Sequence, residues 1–325
     1  YVGYGDAAIA AFPNGTLIAT AIHGYGLSGN SSTTTPTDVV WKCSYDNGKT
    51  WTKQHTLDHS LFGNLRGCIS PGSICVAEGG AIGGKAIAAL RTSTGVNTGA
   101  TASASRNRVY LLTYNPATNT WTNLKDASGN ILYVDNASGD YDEAHLAQVA
   151  DNTFVLSIRS YLSSDSYRAF KYVTLSDDGT TATVSVAAKS GMTLANGCNG
   201  DMMTYSAKNG DYLMHTVPKD MVYNGDNCRT SLAFYYATKA ASGTIAWTRS
   251  LTLSDPHDNT NGGAAATGIG AVNESAQYSS ITEQKDHTIG MLYEGYPLAV
   301  RHKDNVTTTY GSHWGDWVMA QYYLN

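Results

Sequence analysis

SYDNGKTW, residues 44–51, places a Ser, an Asp, a Gly and a Thr at alternate positions and ends on a Trp. Gly48 permits a backbone conformation with positive φ, and the carboxylate of Asp46 can accept hydrogen bonds from N–H groups of its own turn. Trp51 carries a large apolar surface that can pack between adjacent sheets. We therefore interpret the octet as a structural turn; a catalytic role for Asp46 is the less favoured alternative.

Three weaker copies of this turn follow along the chain: TYNPATNTW (113–121), LSDDGTTAT (175–183) and YATKAASGTIAW (236–247). Each interrupts short β-rich runs, as a hairpin turn does. A turn of this kind every ~55 to 70 residues indicates blades of about four strands repeated around an axis, which is the architecture of a β-propeller. A β-sandwich is the alternative.

The composition favours one all-β domain that covers residues 1–325. Charged residues make up 14% of the chain, against ~25% in an average domain, and 33 Gly and 22 Tyr are typical of short strands joined by turns. The pattern contains no amphipathic helix of three turns and no low-complexity linker. Because the net charge is only −5 and no basic stripe is visible, neither a nucleic acid nor a membrane is an expected partner.

The sequence also favours an exported protein. It contains no run of about 18 apolar residues that could span a membrane, and no signal peptide can be read at its start. Low charge and a wealth of Thr and Asn are accompanied by five N-x-S/T sequons, at Asn14, Asn30, Asn136, Asn273 and Asn305. We expect a secreted, cell-surface or periplasmic location.

The octet has the form S-x-D-x-G-x-T-W, the Asp-box, and the chain resembles the sialidases (neuraminidases) of glycoside hydrolase family 33. Three further stretches carry the resemblance in the order of the family: YDEAHLAQVADNTFVLSIRS (141–160), GCNGDMMTYSAKNGDYLMHTVPKDMVYNGDNCRTSLAFYY (197–236) and QYSSITEQKDHTIGMLYEGY (277–296). The resemblance implies a six-bladed β-propeller and a glycosidase of sialylated glycans or related nonulosonic acid glycoconjugates. It implies no cofactor, and no loop in the sequence predicts a metal site.

The resemblance also implies roles for individual residues. Glu143 corresponds to the catalytic Glu of the family, and Arg159, 16 residues later, to an arginine that binds the substrate carboxylate. Arg229 corresponds to the next arginine of that kind. Tyr278 corresponds to the catalytic tyrosine, and Glu294 to a carboxylate that supports an arginine.

These residue types suit the chemistry of a sialic acid. Its anomeric carbon carries a carboxylate, which would repel a carboxylate nucleophile, so a neutral tyrosine is the better attacking group. Sialidases with a tyrosine nucleophile are an exception among glycosidases, most of which use two carboxylates. A free tyrosine has a pKa near ~10 and needs a base within hydrogen-bond reach, a role that falls to Glu143. The guanidinium groups of Arg159 and Arg229 can each bind the substrate carboxylate through two parallel hydrogen bonds.

The sequence departs from the family at two points. No arginine precedes Arg66, and Gly5 or Asp6 stands where the family has its first carboxylate-binding arginine. The loop that holds the acid/base Asp in the family contains no acid here, so His23, which can act as a general acid near neutral pH, is the candidate substitute. Ser70 stands where an Asp commonly contacts O4 of the sugar.

Three functions remain compatible with this sequence. The favoured one is a retaining exo-sialidase with an altered leaving-group acid and altered specificity, because a protein that only binds would not need both Tyr278 and Glu143. A sialidase-like protein that binds glycans with little or no hydrolysis is the second, favoured by the missing arginine and aspartate. An endo-acting sialidase is the third.

Overall fold

A computed structural model gives the fold of the chain. It describes residues 2–25, 38–63, 66–93, 107–138, 141–195, 197–223, 226–253, 274–297 and 316–322. Within these ranges the regular structure consists of β-strands and three short 3-10 helices, His59–Phe62, Gly80–Ile82 and Ser163–Asp165. The expected all-β class is confirmed.

The first sheet follows the chain in order. It contains β1 (Val2–Ala11), β2 (Leu17–Tyr25), β3 (Asp38–Ser44) and β4 (His55–Thr56), each antiparallel to the next. The second sheet repeats this order with β5 (Arg66–Val76), β6 (Ala86–Ser93), β7 (Asn107–Asn115) and β8 (Thr120–Asn123), and β9 (Tyr133–Val134) also pairs with β7. The third contains β10 (Tyr141–Ala150), β11 (Thr153–Ser160), β12 (Arg168–Leu175) and β13 (Ala182–Val186).

The remaining strands form three sheets. The shortest consists of β14 (Lys189–Ser190), which runs parallel to β18 (Ile245–Ala246). A four-stranded sheet contains β15 (Asp201–Ala207), β16 (Gly210–Tyr223), β17 (Asp226–Thr238) and β19 (Thr248–Leu253) in that order. The last contains β20 (Glu274–Glu283), β21 (Ile289–Pro297) and β22 (Asp316–Tyr322). The succession of hairpins expected from the sequence is confirmed, and the count of six blades stays a prediction.

The chain divides into two compact units. One contains residues 1–161, 169–187 and 240–243, and the other contains residues 162–168, 188–239 and 244–325. The first unit buries apolar side chains between its sheets, for example Ile87, Leu111 and Phe154. The second has its own core, in which Ile281 and Met291 are packed with Met214. The expectation of a single domain over 1–325 stays a prediction.

The four similar turns occupy equivalent places in their sheets. Each turn connects the third and the fourth of four consecutive neighbouring strands in its sheet. The four turns are residues 44–51, 113–121, 175–183 and 236–247. In the first turn, Asp46 accepts hydrogen bonds from Ser44 Oγ at 2.8 Å and from the N–H of Thr50 at 2.8 Å. Asp178 accepts a similar bond from Ser176 Oγ at 2.6 Å and one from the N–H of Thr180, two residues later, at 3.0 Å. The carboxylate therefore closes the turn, as the sequence indicated.

The packing expected for Trp51 is wrong. Its side chain is 38% exposed, and its Nε1–H donates to the carbonyl oxygen of Gly48 at 3.2 Å within the same turn. The indole thus covers the turn instead of filling a space between sheets. Gly48 has φ = 84°, which confirms the reason for a glycine at this position.

Candidate active site

Four sheets have an irregularity in their first strand. The pairing of that strand with the second one shifts register between Gly5 and Ala8 in β1, Ile69 and Ile74 in β5, Tyr141 and Ala144 in β10, and Gln277 and Ser280 in β20. Such β-bulges commonly lie beside active sites, because the extra residue redirects a side chain out of the strand pattern. The residues inside the four bulges include Asp6, Ser70, Glu143 and Tyr278.

Glu143 and Arg159 lie opposite each other at one end of the third sheet. Glu143 is in the bulge near the start of β10, and Arg159 is the penultimate residue of β11. Nη1 of Arg159 donates to both carboxylate oxygens of Glu143, at 2.9 and 3.0 Å. Only 13% of the Glu143 side chain and 8% of the Arg159 side chain is exposed. The two residues proposed from the sequence therefore form one buried ion pair.

A second ion pair lies beside the first. Asp142, the residue before Glu143, is 6% exposed, and its Oδ1 accepts a hydrogen bond from Nη1 of Arg91 at 2.8 Å. Its Oδ2 accepts one from the phenol of Tyr161 at 2.7 Å. The ring of Tyr161 in turn lies under the guanidinium of Arg159, whose Cζ is 4.7 Å from the ring centroid. The bulge of β10 thus joins two acids, two arginines and one tyrosine in one cluster.

The two neighbouring acids have pKa values shifted in opposite directions. Burial raises the pKa of the Asp142 carboxyl, and the negative charge of Glu143 raises it further, while Arg91 and Arg159 offset only a part. Burial also disfavours ionisation of Glu143, but the charges of Arg159 and Arg91 prevail and lower the pKa of that carboxyl. Two adjacent carboxyl groups divided in this way provide one proton acceptor and one group that retains its proton to higher pH.

Tyr278 lies in the bulge of β20, in the second unit. Its φ of 46° is unusual for a residue with a side chain, and its side chain is partly exposed. The next residue, Ser279, is fully buried. The bulge therefore joins a partly exposed tyrosine to a fully buried serine.

For three residues named from the sequence, the structure describes the backbone but not the side chain. Ser70 lies in the bulge of β5. Arg229 lies in β17, where the pairing with β16 shifts register between Asp220 and Val222. Glu294 lies in β21, opposite Gln277 of the β20 bulge. Their proposed contacts with substrate stay predictions.

His23 lies in β2, opposite Tyr4 of β1 and Asp38 of β3. The rings of His23 and Tyr4 are 4.5 Å apart at 35°, and the imidazole is half-buried. Asp38 is bound to another histidine, because its Oδ1 lies 2.8 Å from Nε2 of His59. The role of His23 as leaving-group acid stays a prediction.

Sequence reasoning missed Arg91, Asp142 and Tyr161. Asp142 had a local signal in the sequence. Successive residues of a strand point to opposite faces, so one of two consecutive acids must lie on the face that is usually apolar. Arg91 had none, because its contact arises only when β6 packs against β10. Within the described residues, no group of three His, Cys, Asp or Glu could hold a metal ion, and no helix is long and apolar enough to cross a membrane.

The sequence matches no family model and no curated protein. Solved structures with similar folds include the Hadza microbial sialidase Hz136, at a TM-score of 0.61 and 16% identity over 92% of this chain and 53% of that one. The intramolecular trans-sialidase of Ruminococcus gnavus gives a TM-score of 0.60 and 13% identity over 93% and 76%. The leech intramolecular trans-sialidase gives 0.62 and 11% over 99% and 56%.

The chain spans about half the length of Hz136. At these identities the likeness concerns the course of the backbone and not the site residues. The chain therefore has the fold of sialidases and trans-sialidases.

Proposed function

We propose that the chain is a retaining exo-sialidase that releases a terminal sialic or related nonulosonic acid. The observation that carries the proposal is the buried Glu143–Arg159 pair in a strand bulge of a sialidase-like fold. A guanidinium binds the carboxylate that distinguishes sialic acids from most other sugars. A neighbouring carboxylate is the base that a tyrosine nucleophile requires.

The cluster around Asp142 supports binding of an anionic sugar in spite of the missing first arginine. With both acids ionised, the charges of Arg91, Arg159, Asp142 and Glu143 cancel. The pKa of the Asp142 carboxyl is raised by burial and by the charge of Glu143, so Asp142 holds its proton to a higher pH than an ordinary aspartic acid, and in that protonated form the cluster carries one net positive charge. We assign Arg91, held by Asp142 at 2.8 Å, as a second arginine of the carboxylate site beside Arg159.

Substrate binding would also activate the base. In the free protein Arg159 occupies both oxygens of Glu143 and lowers the pKa of that carboxyl. A substrate carboxylate that binds Arg159 competes for the same guanidinium and compensates its charge. The pKa of Glu143 then rises, and Glu143 becomes a better acceptor for the phenol proton of Tyr278.

The reaction would proceed in two steps. Tyr278 Oη attacks the anomeric carbon as Glu143 takes its proton, and the glycosidic bond breaks while a general acid, for which His23 is the candidate, protonates the leaving oxygen. Water then attacks the anomeric carbon and gives one proton to the same general acid, which now acts as a base; the bond to Tyr278 Oη breaks, Glu143 returns its proton to the phenol, and the sugar leaves with its original anomeric configuration. Arg159, Arg91 and Arg229 would hold the sugar carboxylate in both steps, and Ser70 would face O4.

Binding without hydrolysis is the second candidate. It is favoured by the hydrogen bonds from Arg159 to both oxygens of Glu143, because the arginine charge lowers the pKa of that carboxyl and makes it a weaker base in the free protein. In that case the cluster would bind sialylated glycans and release nothing.

Incubation with 4-methylumbelliferyl sialoside, polysialic acid and a sialylated glycoprotein separates these functions. Release of monomeric sialic acid, first seen by NMR as the retained anomer and lost in Tyr278→Phe, supports the exo-sialidase. Release of oligomers from polysialic acid alone indicates endo-cleavage. Binding of the glycoprotein with no release by the parent protein contradicts hydrolysis and supports the second candidate.

A further inference from the structure

The backbone of Tyr278 is strained. A positive φ in a residue with a β-carbon costs on the order of 1 kcal/mol and persists where the surrounding structure holds it. The φ of Tyr278 is 46°, in a bulge where β20 has lost its regular pairing with β21. Two of the three residues that follow Tyr278 make hydrogen bonds to other strands.

The first contact is made by the next residue, Ser279. Its hydroxyl oxygen lies 2.8 Å from the hydroxyl oxygen of Thr216 in β16, and both residues are fully buried. A buried hydroxyl that loses its partner costs ~1–3 kcal/mol, so this pair opposes any shift of Ser279 along the strand. The contact crosses from one sheet to the next.

The second contact is made two residues later. The N–H of Ile281 donates to Oδ2 of Asp201 at 2.8 Å, and Oδ1 of the same carboxylate accepts from the N–H of Met202 at 2.8 Å. Asp201 is 4% exposed. Among the described strands, β20 is the first of its sheet, and only β21 pairs with it there. Asp201 satisfies an N–H group of this strand with a charge-assisted hydrogen bond.

Asp201 and Thr216 lie directly opposite each other in two neighbouring strands. They pair in register across β15 and β16. A β-carbon on Gly200 would lie 2.0 Å from the carbonyl oxygen of Thr216, so a glycine is required for this close approach. The side chain of Ile281 packs into the apolar core of the second unit.

We propose that Asp201 and Thr216 are positioning residues that fix the bulge of β20 and thereby aim the phenol of Tyr278. Neither residue touches the substrate in this proposal; both act through the backbone between Ser279 and Ile281. The inference rests on the proposed function, in which Tyr278 is the nucleophile. A displacement of about 1 Å at a reacting atom can cost ~100-fold in rate, so two anchors within three residues of Tyr278 are sufficient to control its reactivity.

The experiment measures attack by Tyr278 alone. With 2,3-difluorosialic acid the Tyr278 Oη–C2 bond forms, fluoride leaves from C2, the phenol proton goes to Glu143, and the fluorine on C3 slows hydrolysis of the adduct. Peptide mass spectrometry gives the rate at which the adduct accumulates. Thr216→Val and Ser279→Ala each remove one hydroxyl, Thr216→Ser retains it, and Thr282→Val is the matched control on the exposed face of β20.

We expect Thr216→Val and Ser279→Ala to slow adduct formation by roughly 10- to 100-fold. Thr216→Ser and Thr282→Val should stay within about 3-fold of the parent, by the same reasoning. The affinity for 2-deoxy-2,3-dehydrosialic acid, a non-covalent analogue, should stay constant in all four variants, because a positioning role alters the rate and not the binding of the sugar. A loss of affinity in parallel with the loss of rate overturns the proposal, as does a Thr216→Val variant that is folded and reacts as fast as the parent.

A structural measurement separates this inference from the proposed function. Asp201→Asn presents only one oxygen to the two N–H groups, so hydrogen exchange at the amide of Ile281 should become faster. If the parent forms no adduct on Tyr278, the proposed function fails, and unchanged exchange at Ile281 in Asp201→Asn would overturn the anchoring role independently. Adduct formation in the parent with equal rates in all variants overturns the positioning role alone.

Discussion

Nη1 of Arg159 lies 2.9 Å from one carboxylate oxygen of Glu143 and 3.0 Å from the other, so a single nitrogen of the guanidinium spans the whole carboxylate. The pair is buried, and a second arginine, Arg91, acts on the same carboxylate through its charge. In a buried ion pair, each partner determines the protonation of the other. A substrate that replaces Glu143 on Arg159 therefore changes the pKa of Glu143.

The acidic limb of the pH–rate profile tests this exchange. The limb of kcat/KM reports the base in the free protein, and that of kcat reports it in the complex with substrate. Because Arg159 and Arg91 lower the pKa of Glu143 in the free protein, its carboxylate persists to a pH below the ordinary value for Glu. We expect the acidic limb of kcat to lie at higher pH than that of kcat/KM, measured with 4-methylumbelliferyl sialoside.

Arg159→Lys is the control for this profile. A lysine retains the charge but lacks the planar guanidinium fork that binds a substrate carboxylate through two parallel hydrogen bonds, so KM should rise while the separation between the two limbs shrinks. Coincident acidic limbs in the parent protein would contradict the exchange of Arg159 between Glu143 and the substrate.

Arg91→Gln tests the second arginine of the carboxylate site. Loss of one guanidinium–carboxylate contact costs ~1.5–3 kcal/mol, so KM should rise by roughly 10- to 100-fold with a smaller change in kcat. Arg108→Gln is the matched control in the adjacent strand β7, because its guanidinium lies over the ring of Tyr133 at 4.2 Å. Equal values of KM in Arg91→Gln and Arg108→Gln would remove Arg91 from the site.

Asp142→Asn tests the raised pKa of Asp142 through thermal unfolding. A carboxyl with a raised pKa in the folded state stabilises the fold below its unfolded pKa of ~3.9, and this contribution is lost as the pH rises through the folded pKa. Asparagine does not titrate. The Tm of Asp142→Asn relative to the parent should therefore increase by a few degrees as the pH rises from about 4 to 7.

Glu143→Gln gives the opposite sign in the same measurement. The lowered pKa of Glu143 means that its contribution is present above its unfolded pKa of ~4.3 and is lost as the pH falls through the folded pKa. The Tm of Glu143→Gln relative to the parent should decrease as the pH rises through that window. If the two variants follow the parent in parallel at every pH, neither shift exists.

More of the fold than of the candidate site could be predicted from the sequence. Strand–turn–strand patterning and the turns at 44–51 and 175–183 depend on neighbours in the sequence, and their Asp residues close the turns as expected. Glu143 and Arg159 were found by their family spacing, and the structure brings them into contact. Arg91 was not predictable, because its place beside Asp142 depends on the packing of β6 against β10.

Strain was also not predictable from the sequence. The sequence indicates a β-strand around Tyr278, in which a regular φ is negative, whereas the bulge gives it a φ of 46°. The reason lies in Asp201 and Thr216, which are distant in the sequence and reach β20 only after two sheets have formed.

Asp46→Ala tests whether the turn at 44–51 contributes to stability alone. The substitution removes two hydrogen bonds from Thr50 and one from Ser44, so the Tm should fall by about 1–3 °C while kcat and KM stay constant. Asp178→Ala should have a similar effect, because Asp178 closes its turn in the same way. Asp177→Ala is the matched control, since it removes an equal charge and leaves the hydrogen bonds of Asp178 in place. A loss of turnover in Asp46→Ala at unchanged Tm would instead place Asp46 in the catalytic machinery.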